Sequence, residues 1–61
     1  MTKLRIIRCQ RKMRQKELAL ILGVKPASVC ELEKNGIRNV RTAKRYAAAL
    51  LCEPQTLLEI N

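Results

Sequence analysis

The segment from Gln15 to Leu32 constrains the fold more than any other part of this 61-residue chain. Helix-forming residues fill two stretches of about eight residues each, and a short turn that contains Gly23 separates them. Glycine suits this turn because the turn requires a positive φ angle. Ala19 is small enough for two crossing helices to touch at its position. The spacing therefore predicts two helices that cross at about 90–120° and are joined by a tight turn, which is a helix-turn-helix.

The apolar residues of this segment have the spacing expected for the inner face of such a helix pair. They are Leu18, Leu22, Val24, Val29 and Leu32. An ordinary helical hairpin with a glycine turn is the alternative, because it is common in small helical domains. Ala19, Gly23 and these five apolar residues all fit the helix-turn-helix pattern. Together with the charge of the chain, this fit favours the helix-turn-helix.

Glycine and proline divide the rest of the chain into further helical segments. The predicted helices cover about residues 3–12, 15–22, 26–34, 40–51 and 54–59. Thr2 and Asn39 are suited to cap the first and fourth helices, and Pro26 and Pro54 suit first turns. No segment has the alternation of a β-strand. The sequence thus predicts an all-α fold of five short helices in one domain over residues 1–61, with the helix-turn-helix at about 15–34.

The predicted fourth helix has one apolar stripe, which is expected to face the core. Its members are Val40, Ala43, Ala47 and Leu50.

The charge of the chain is strongly positive and unevenly distributed. The chain has thirteen Lys and Arg residues and five Asp and Glu residues, for a net charge of +8. Residues 3–16 hold seven basic and no acidic side chains, residues 34–45 hold five and none, and residues 17–33 hold one Lys and three Glu. In a helix-turn-helix, the two basic segments flank the major groove that the second helix of the pair enters. This bracketing predicts double-stranded DNA as the partner; a solvated basic face is the alternative.

Composition argues against several other functions. The chain has one aromatic residue, Tyr46, and no His, whereas proteins that read single-stranded nucleic acid use several stacking aromatics. A chain of about 60 residues has little room for a substrate cavity, so we expect no enzyme. Cys9, Cys30 and Cys52 lack the paired spacing of metal sites and are expected to be reduced thiols in the cytoplasm. We expect no cofactor, no metal and no membrane span.

Three stretches of the sequence resemble one family. The stretch QKELALILGVKPASVCELEKNG resembles the core of the Cro/cI-type (XRE-like) helix-turn-helix family of phage-repressor-like transcriptional regulators. LRIIR is similar to the first helix of that family, and AAALLCEPQTLL to its closing segment. The resemblance implies a compact five-helix, lambda-repressor-like domain that binds operator DNA as a dimer. It also implies a bacterial or phage-encoded protein associated with the nucleoid.

The sequence departs from the family pattern at two places. Lys25 stands where a small polar residue usually caps the recognition helix. Arg38-Asn39 replaces the proline that is common before the fourth helix, so we expect a different loop at 35–39.

The resemblance also implies roles for individual residues. The implied base-reading residues are Lys25, Pro26, Ala27, Ser28 and Glu31. The implied phosphate contacts are Arg14, Gln15, Lys16, Lys34, Asn35, Arg38, Arg41 and Lys44. A structural ion pair is implied between Arg8 and Glu33. Because these readers include no Arg, Gln or Asn, we expect part of the specificity to come from DNA shape.

Several aliphatic side chains are expected on the surface, which indicates a partner. They are Ile6, Leu20, Ile21, Leu51 and Ile60. The first hypothesis is a homodimeric transcriptional regulator whose dimer surface includes Leu51 and Ile60. The second is an antitoxin or antirepressor in which the same fold binds a protein.

Overall fold

The computed structural model describes residues 1–59, which form a helical fold. Its elements are α1 (Lys3–Gln10), α2 (Gln15–Leu22), α3 (Pro26–Asn35), α4 (Val40–Leu50) and a single 3₁₀ turn (Pro54–Thr56). The prediction of an all-α fold is therefore confirmed. Over residues 1–59, β-structure is limited to one parallel bridge between Ile37 and Leu58. Within the same residues, no helix is long and apolar enough to cross a membrane.

Two side chains cap helices as predicted. The Thr2 hydroxyl accepts a hydrogen bond from the Arg5 N–H at 3.4 Å, and Asn39 Oδ1 accepts from the N–H groups of Arg41 and Thr42 at 2.8 and 3.2 Å. These oxygens satisfy N–H groups that have no partner inside the helix. The Thr2 hydroxyl also donates to the Glu33 carbonyl oxygen at 2.7 Å, so the cap of α1 is tied to the end of α3.

All four helices and the segment around Leu57 contribute to one core. The buried apolar residues are Leu4, Leu18, Ala19, Val29, Ile37, Ala43, Tyr46, Ala47, Leu50 and Leu57. Ala19 is 1% exposed, in agreement with its predicted place at the helix crossing. Leu22, Val24 and Leu32 are partly buried and pack against this core. The inner face predicted for the helix-turn-helix is thus the face that packs.

Several predicted helix ends were wrong. The first helix ends at Gln10 and not at residue 12, because Lys12 has a φ of +56°. The fourth ends at Leu50, because Leu51 also has a φ of +56°. The third extends one residue further than predicted, to Asn35. These differences are set by single backbone conformations at the helix ends.

The predicted last helix over 54–59 is only the 3₁₀ turn Pro54–Thr56. Beyond it, the Glu59 N–H donates to the Ile37 carbonyl at 2.7 Å. The Glu59 N–H therefore bonds to a carbonyl that is distant in sequence and not to one in a preceding helical turn, so the helix does not continue. The five-helix prediction was wrong in this detail.

Four of the aliphatic residues predicted to be exposed are exposed, and one residue that was predicted to be buried is exposed as well. Ile6, Leu20, Ile21 and Leu51 are exposed. Val40 was predicted on the inner stripe of α4, but it is 50% exposed, because it is the first residue of α4 and lies at the edge of the core. Ile60 lies outside the described residues.

Two glycines have positive φ for different reasons. Gly23 has φ +70° and ψ +30° and ends α2, which is the left-handed conformation common after helices. Gly36 has φ +86° and ψ +157°, a region that is essentially restricted to glycine. A Cβ on Gly36 would lie 2.8 Å from Glu59 Cγ, whereas a Cβ on Gly23 would meet no atom within 4 Å. The Glu59 carboxylate accepts from the Lys3 N–H at 2.6 Å, so it cannot retreat without losing that bond.

We expect Gly36→Ala to destabilise the fold more than the control Gly23→Ala. The first combines backbone strain with a clash and is expected to cost about 2–3 kcal/mol, whereas the second places alanine in a left-handed conformation at about 1 kcal/mol. Urea unfolding of both variants measures the difference. An equal loss would show that Gly36 and Glu59 are not packed as described.

Candidate nucleic-acid interface

One side of α3 packs against the core, and the other is exposed. Val29 is fully buried and Glu33 is 7% exposed. The five residues predicted to read bases are all exposed: Lys25, Pro26, Ala27, Ser28 and Glu31. Lys25 precedes α3 without a side-chain cap, and Pro26 occupies the first turn. The structure therefore places the predicted readers together at the start and on the outer face of one helix.

The Glu33 carboxylate lies at the centre of a hydrogen-bond network. The Arg8 Nε donates to Glu33 Oε2, and Arg8 Nη2 donates to Oε1 at 3.2 Å. Gln15 Nε2 also donates to Oε1, at 3.1 Å. The remaining guanidinium nitrogen, Nη1, donates to the Met13 carbonyl. One carboxylate on α3 is thereby joined to α1 and the start of α2, and Arg8 also holds the turn between them.

This network is mostly shielded from water. The side chains of Arg8 and Glu33 are 12% and 4% exposed. The hydrogen bond to Glu33 raises the pKa of Arg8, although burial of the guanidinium acts in the opposite direction. A buried ion pair of this kind fixes a geometry, because either partner alone would be a desolvated charge. The orientation of α3 relative to α1 and α2 therefore depends on this pair.

Gln15 has a different position from the other predicted phosphate contacts. Its side chain is half-buried, and its amide braces α3 through Glu33. Nearby, the Arg14 N–H donates to Glu17 Oε1 at 2.9 Å. One of the N–H groups at the start of α2 is therefore already satisfied by a carboxylate of the same helix, as in a capping box.

Some basic residues of the two basic segments, residues 3–16 and 34–45, bind carbonyl oxygens at the ends of helices. Arg11 donates to the carbonyl oxygens of Leu50 and Leu51 at 2.8 and 3.3 Å, and Arg45 Nη2 donates to that of Leu22 at 3.1 Å. Both guanidinium groups lie at helix C-termini, where a positive charge is favoured.

Lys3 Nζ donates to the Leu58 carbonyl at 2.9 Å. Sequence reasoning missed these roles of Lys3, Arg11 and Arg45, because each partner is at least 23 residues away and leaves no local pattern.

The other predicted phosphate contacts are exposed, and within residues 1–59 their side chains form no hydrogen bond. They are Arg14, Lys16, Lys34, Asn35, Arg38, Arg41 and Lys44. They lie at the start of α2, at the end of α3, in the following loop and at the start of α4. The chain thus has basic side chains available on both sides of α3 in sequence, while other basic groups stabilise the fold.

The three cysteines are free thiols. Cys9 is exposed, and Cys30 and Cys52 are partly buried. Burial raises the pKa of the Cys52 thiol, as it does for the Tyr46 hydroxyl. Among the described residues, no three His, Cys, Asp or Glu side chains are grouped so that they hold a metal ion.

A family model described as helix-turn-helix matches residues 4–57. The chain belongs to the Cro/cI-type (XRE-like) helix-turn-helix family. No curated protein and no solved structure shows significant similarity to the chain. The family prediction is thus confirmed, and the protein is a DNA-binding helix-turn-helix regulator.

We expect Arg8→Ala and Glu33→Ala each to lower the free energy of unfolding by about 3 kcal/mol, because each leaves one partly buried charge without its partner. The double variant should lose less than the sum of the two. Chemical denaturation of the four proteins measures this coupling. Strictly additive losses would contradict the pairing.

Proposed function

We propose that this protein is a sequence-specific regulator of transcription that binds double-stranded DNA at an operator or promoter as a homodimer. The observation that carries the proposal is the exposed outer face of α3, whose orientation is held by the buried Glu33 network. Occupation of a DNA site is the whole mechanism. We further propose a cytoplasmic, nucleoid-associated protein of bacterial or phage origin.

The proposed readers lie at the start and on the outer face of α3. Ala27 contacts a thymine methyl group, Ser28 binds a base or phosphate, and Glu31 accepts from cytosine N4. Lys25 reaches guanine from the start of the helix. Pro26 has no N–H to donate, so it contributes to DNA recognition through its shape and not through a backbone hydrogen bond. With so few strong hydrogen-bond donors, the protein depends partly on DNA deformability.

The proposed phosphate contacts lie before and after the reading helix. Arg14 and Lys16 bind phosphate at the start of α2, and Gln15 does so with the part of its amide that Glu33 leaves free. Beyond α3, the contacts come from Lys34, Asn35, Arg38, Arg41 and Lys44. Apart from Gln15, these residues are supported as phosphate contacts by their exposed side chains, which have no hydrogen-bond partner within residues 1–59.

A second candidate function is supported by the outer face of α2. Leu20 and Ile21 are 83% and 57% exposed there, although they are adjacent and strongly apolar. An antitoxin or antirepressor would use such a surface to bind a protein.

The salt dependence of binding separates the two candidates. If each subunit neutralises about 4–6 phosphates, a plot of log K against log salt concentration has a slope of order −8 for a dimer. The titration uses duplex DNA and fluorescence anisotropy. A slope near zero would favour the protein-binding function.

Arg45→Gln is the matched control for Arg41→Gln in this titration. Both remove a charge from α4, but Arg45 already donates to the Leu22 carbonyl. We expect Arg41→Gln to flatten the slope by about one unit per subunit and Arg45→Gln to lower the melting temperature instead.

Reader and phosphate positions should differ in a binding-site selection at fixed salt. Glu31→Gln should change the selected sequences, with about 1–3 kcal/mol lost at one base pair. Arg41→Ala should weaken binding to all sequences about equally. If Arg41→Ala changes the selected sequences and Glu31→Gln does not, α3 is not the recognition helix.

A further inference from the structure

Three segments that are distant in sequence meet at the loop that follows α3. The Glu59 N–H donates to the Ile37 carbonyl at 2.7 Å, and Ile37 forms a parallel bridge with Leu58. The Glu59 carboxylate accepts from the Lys3 N–H at 2.6 Å, and Lys3 Nζ donates to the Leu58 carbonyl at 2.9 Å. We call the contacts among Lys3, Gly36, Ile37, Leu58 and Glu59 the Glu59 clasp.

Glu59 takes part in the clasp with its side chain as well as its backbone. Its Cγ and Cβ lie 2.8 and 3.0 Å from the place that a Cβ on Gly36 would occupy, so its methylene groups cover the Gly36 backbone. Its carboxylate lies at the first turn of α1, which contains no acidic residue of its own. A negative charge is favoured there, because the N-terminus of a helix is electropositive. The side chain therefore links the start of α1 to the loop after α3.

The loop that the clasp holds changes from buried to exposed between two neighbouring residues. Ile37 is fully buried, whereas Arg38 and Asn39 are exposed. Within residues 1–59, the Arg38 side chain forms no hydrogen bond, so its placement depends on the backbone on either side of it. Before Arg38, the backbone is held by the clasp at Ile37; after it, the Asn39 side chain caps α4. Loss of the Glu59 side chain therefore frees one end of the loop that carries Arg38.

We propose that Glu59 is a positioning residue of the DNA interface, which holds the loop after α3 so that Arg38 meets a phosphate. The inference rests on the proposed DNA-binding function, and it assigns a role to a residue that does not touch DNA itself. The charge of Glu59 opposes a direct role, because a carboxylate repels the phosphates of DNA. Loss of that charge alone would therefore tighten DNA binding, whereas loss of the placement of Arg38 would weaken it.

The first test compares Glu59→Ala with Glu59→Gln in binding to duplex DNA at fixed salt. Both variants remove the same charge, but glutamine keeps an acceptor for the Lys3 N–H and the methylene groups over Gly36. We expect Glu59→Ala to bind about 2- to 30-fold more weakly than Glu59→Gln, which is the range for residues that act on a ligand without touching it. Equal affinities, or tighter binding by Glu59→Ala, would overturn the proposal.

A second measurement separates the positioning of Arg38 from a general loss of folded protein. In an Arg38→Ala background, the difference between Glu59→Ala and Glu59→Gln should disappear, because the side chain that Glu59 positions is no longer present. Lys16→Ala is the matched control, since Lys16 is an exposed phosphate candidate at the start of α2, and the full difference should remain in that background. A difference that persists with Arg38→Ala, or disappears with Lys16→Ala, would contradict the assigned role.

Hydrogen exchange tests the same coupling in the wild type, so it does not depend on the folding of any variant. Coupling is reciprocal, and a clasp that favours DNA binding is itself stabilised by bound DNA. We expect duplex DNA to slow exchange of the Glu59 N–H by about the factor that separates the two variants. The control is the Cys52 N–H, which donates to the Ala47 carbonyl at 3.0 Å at the end of α4 and should slow less. Equal slowing of the two amides would refute the coupling.

Binding by the wild type distinguishes failure of this inference from failure of the proposed function. A wild-type protein that binds no duplex at any salt concentration would reject the DNA-binding function, and the inference with it. A wild-type protein that binds duplex DNA with the expected salt dependence, while the two Glu59 variants have equal affinities, would reject the role of Glu59 alone.

Discussion

The buried Glu33 carboxylate is the constraint on which the arrangement of this protein depends. It accepts hydrogen bonds from Arg8 on α1 and from Gln15 at the start of α2, and the backbone carbonyl of the same residue accepts from Thr2. A desolvated charge is tolerated only if its partners hold their positions. One residue on the inner side of α3 therefore aligns the helix whose outer side is proposed to read DNA.

Positive charge has two uses in this chain. Arg11 and Arg45 bind carbonyl oxygens at the ends of α4 and α2, while the exposed side chains of residues such as Arg14 and Arg41 form no hydrogen bond in the described structure. In so small a domain, helix termini make up a large part of the surface, and guanidinium groups satisfy carbonyl oxygens there. The net charge of +8 therefore overstates the number of side chains available to DNA.

The residues with positive φ angles lie at or just after the ends of the helices. Gly23 and Gly36 meet this requirement with the residue best suited to it, whereas Lys12 and Leu51 do so with ordinary side chains. At Gly36 the conformation brings the chain against Glu59, which connects the loop after α3 to the end of the described chain. At Leu51 it leaves an aliphatic side chain 85% exposed.

The sequence by itself determined the four main helices, their family and most of the core. Periodicity, Thr2, Asn39 and Gly23 act within a few residues, so their effects are visible locally, and Arg8 and Glu33 were paired through resemblance. Only the tertiary structure decided that Lys3, Arg11 and Arg45 are structural and that Val40 is half exposed. It also decided that residues 57–59 leave the helical path for Ile37. The roles of the three basic residues and the path of residues 57–59 depend on partners far away in the chain, whose positions exist only once the helices have packed.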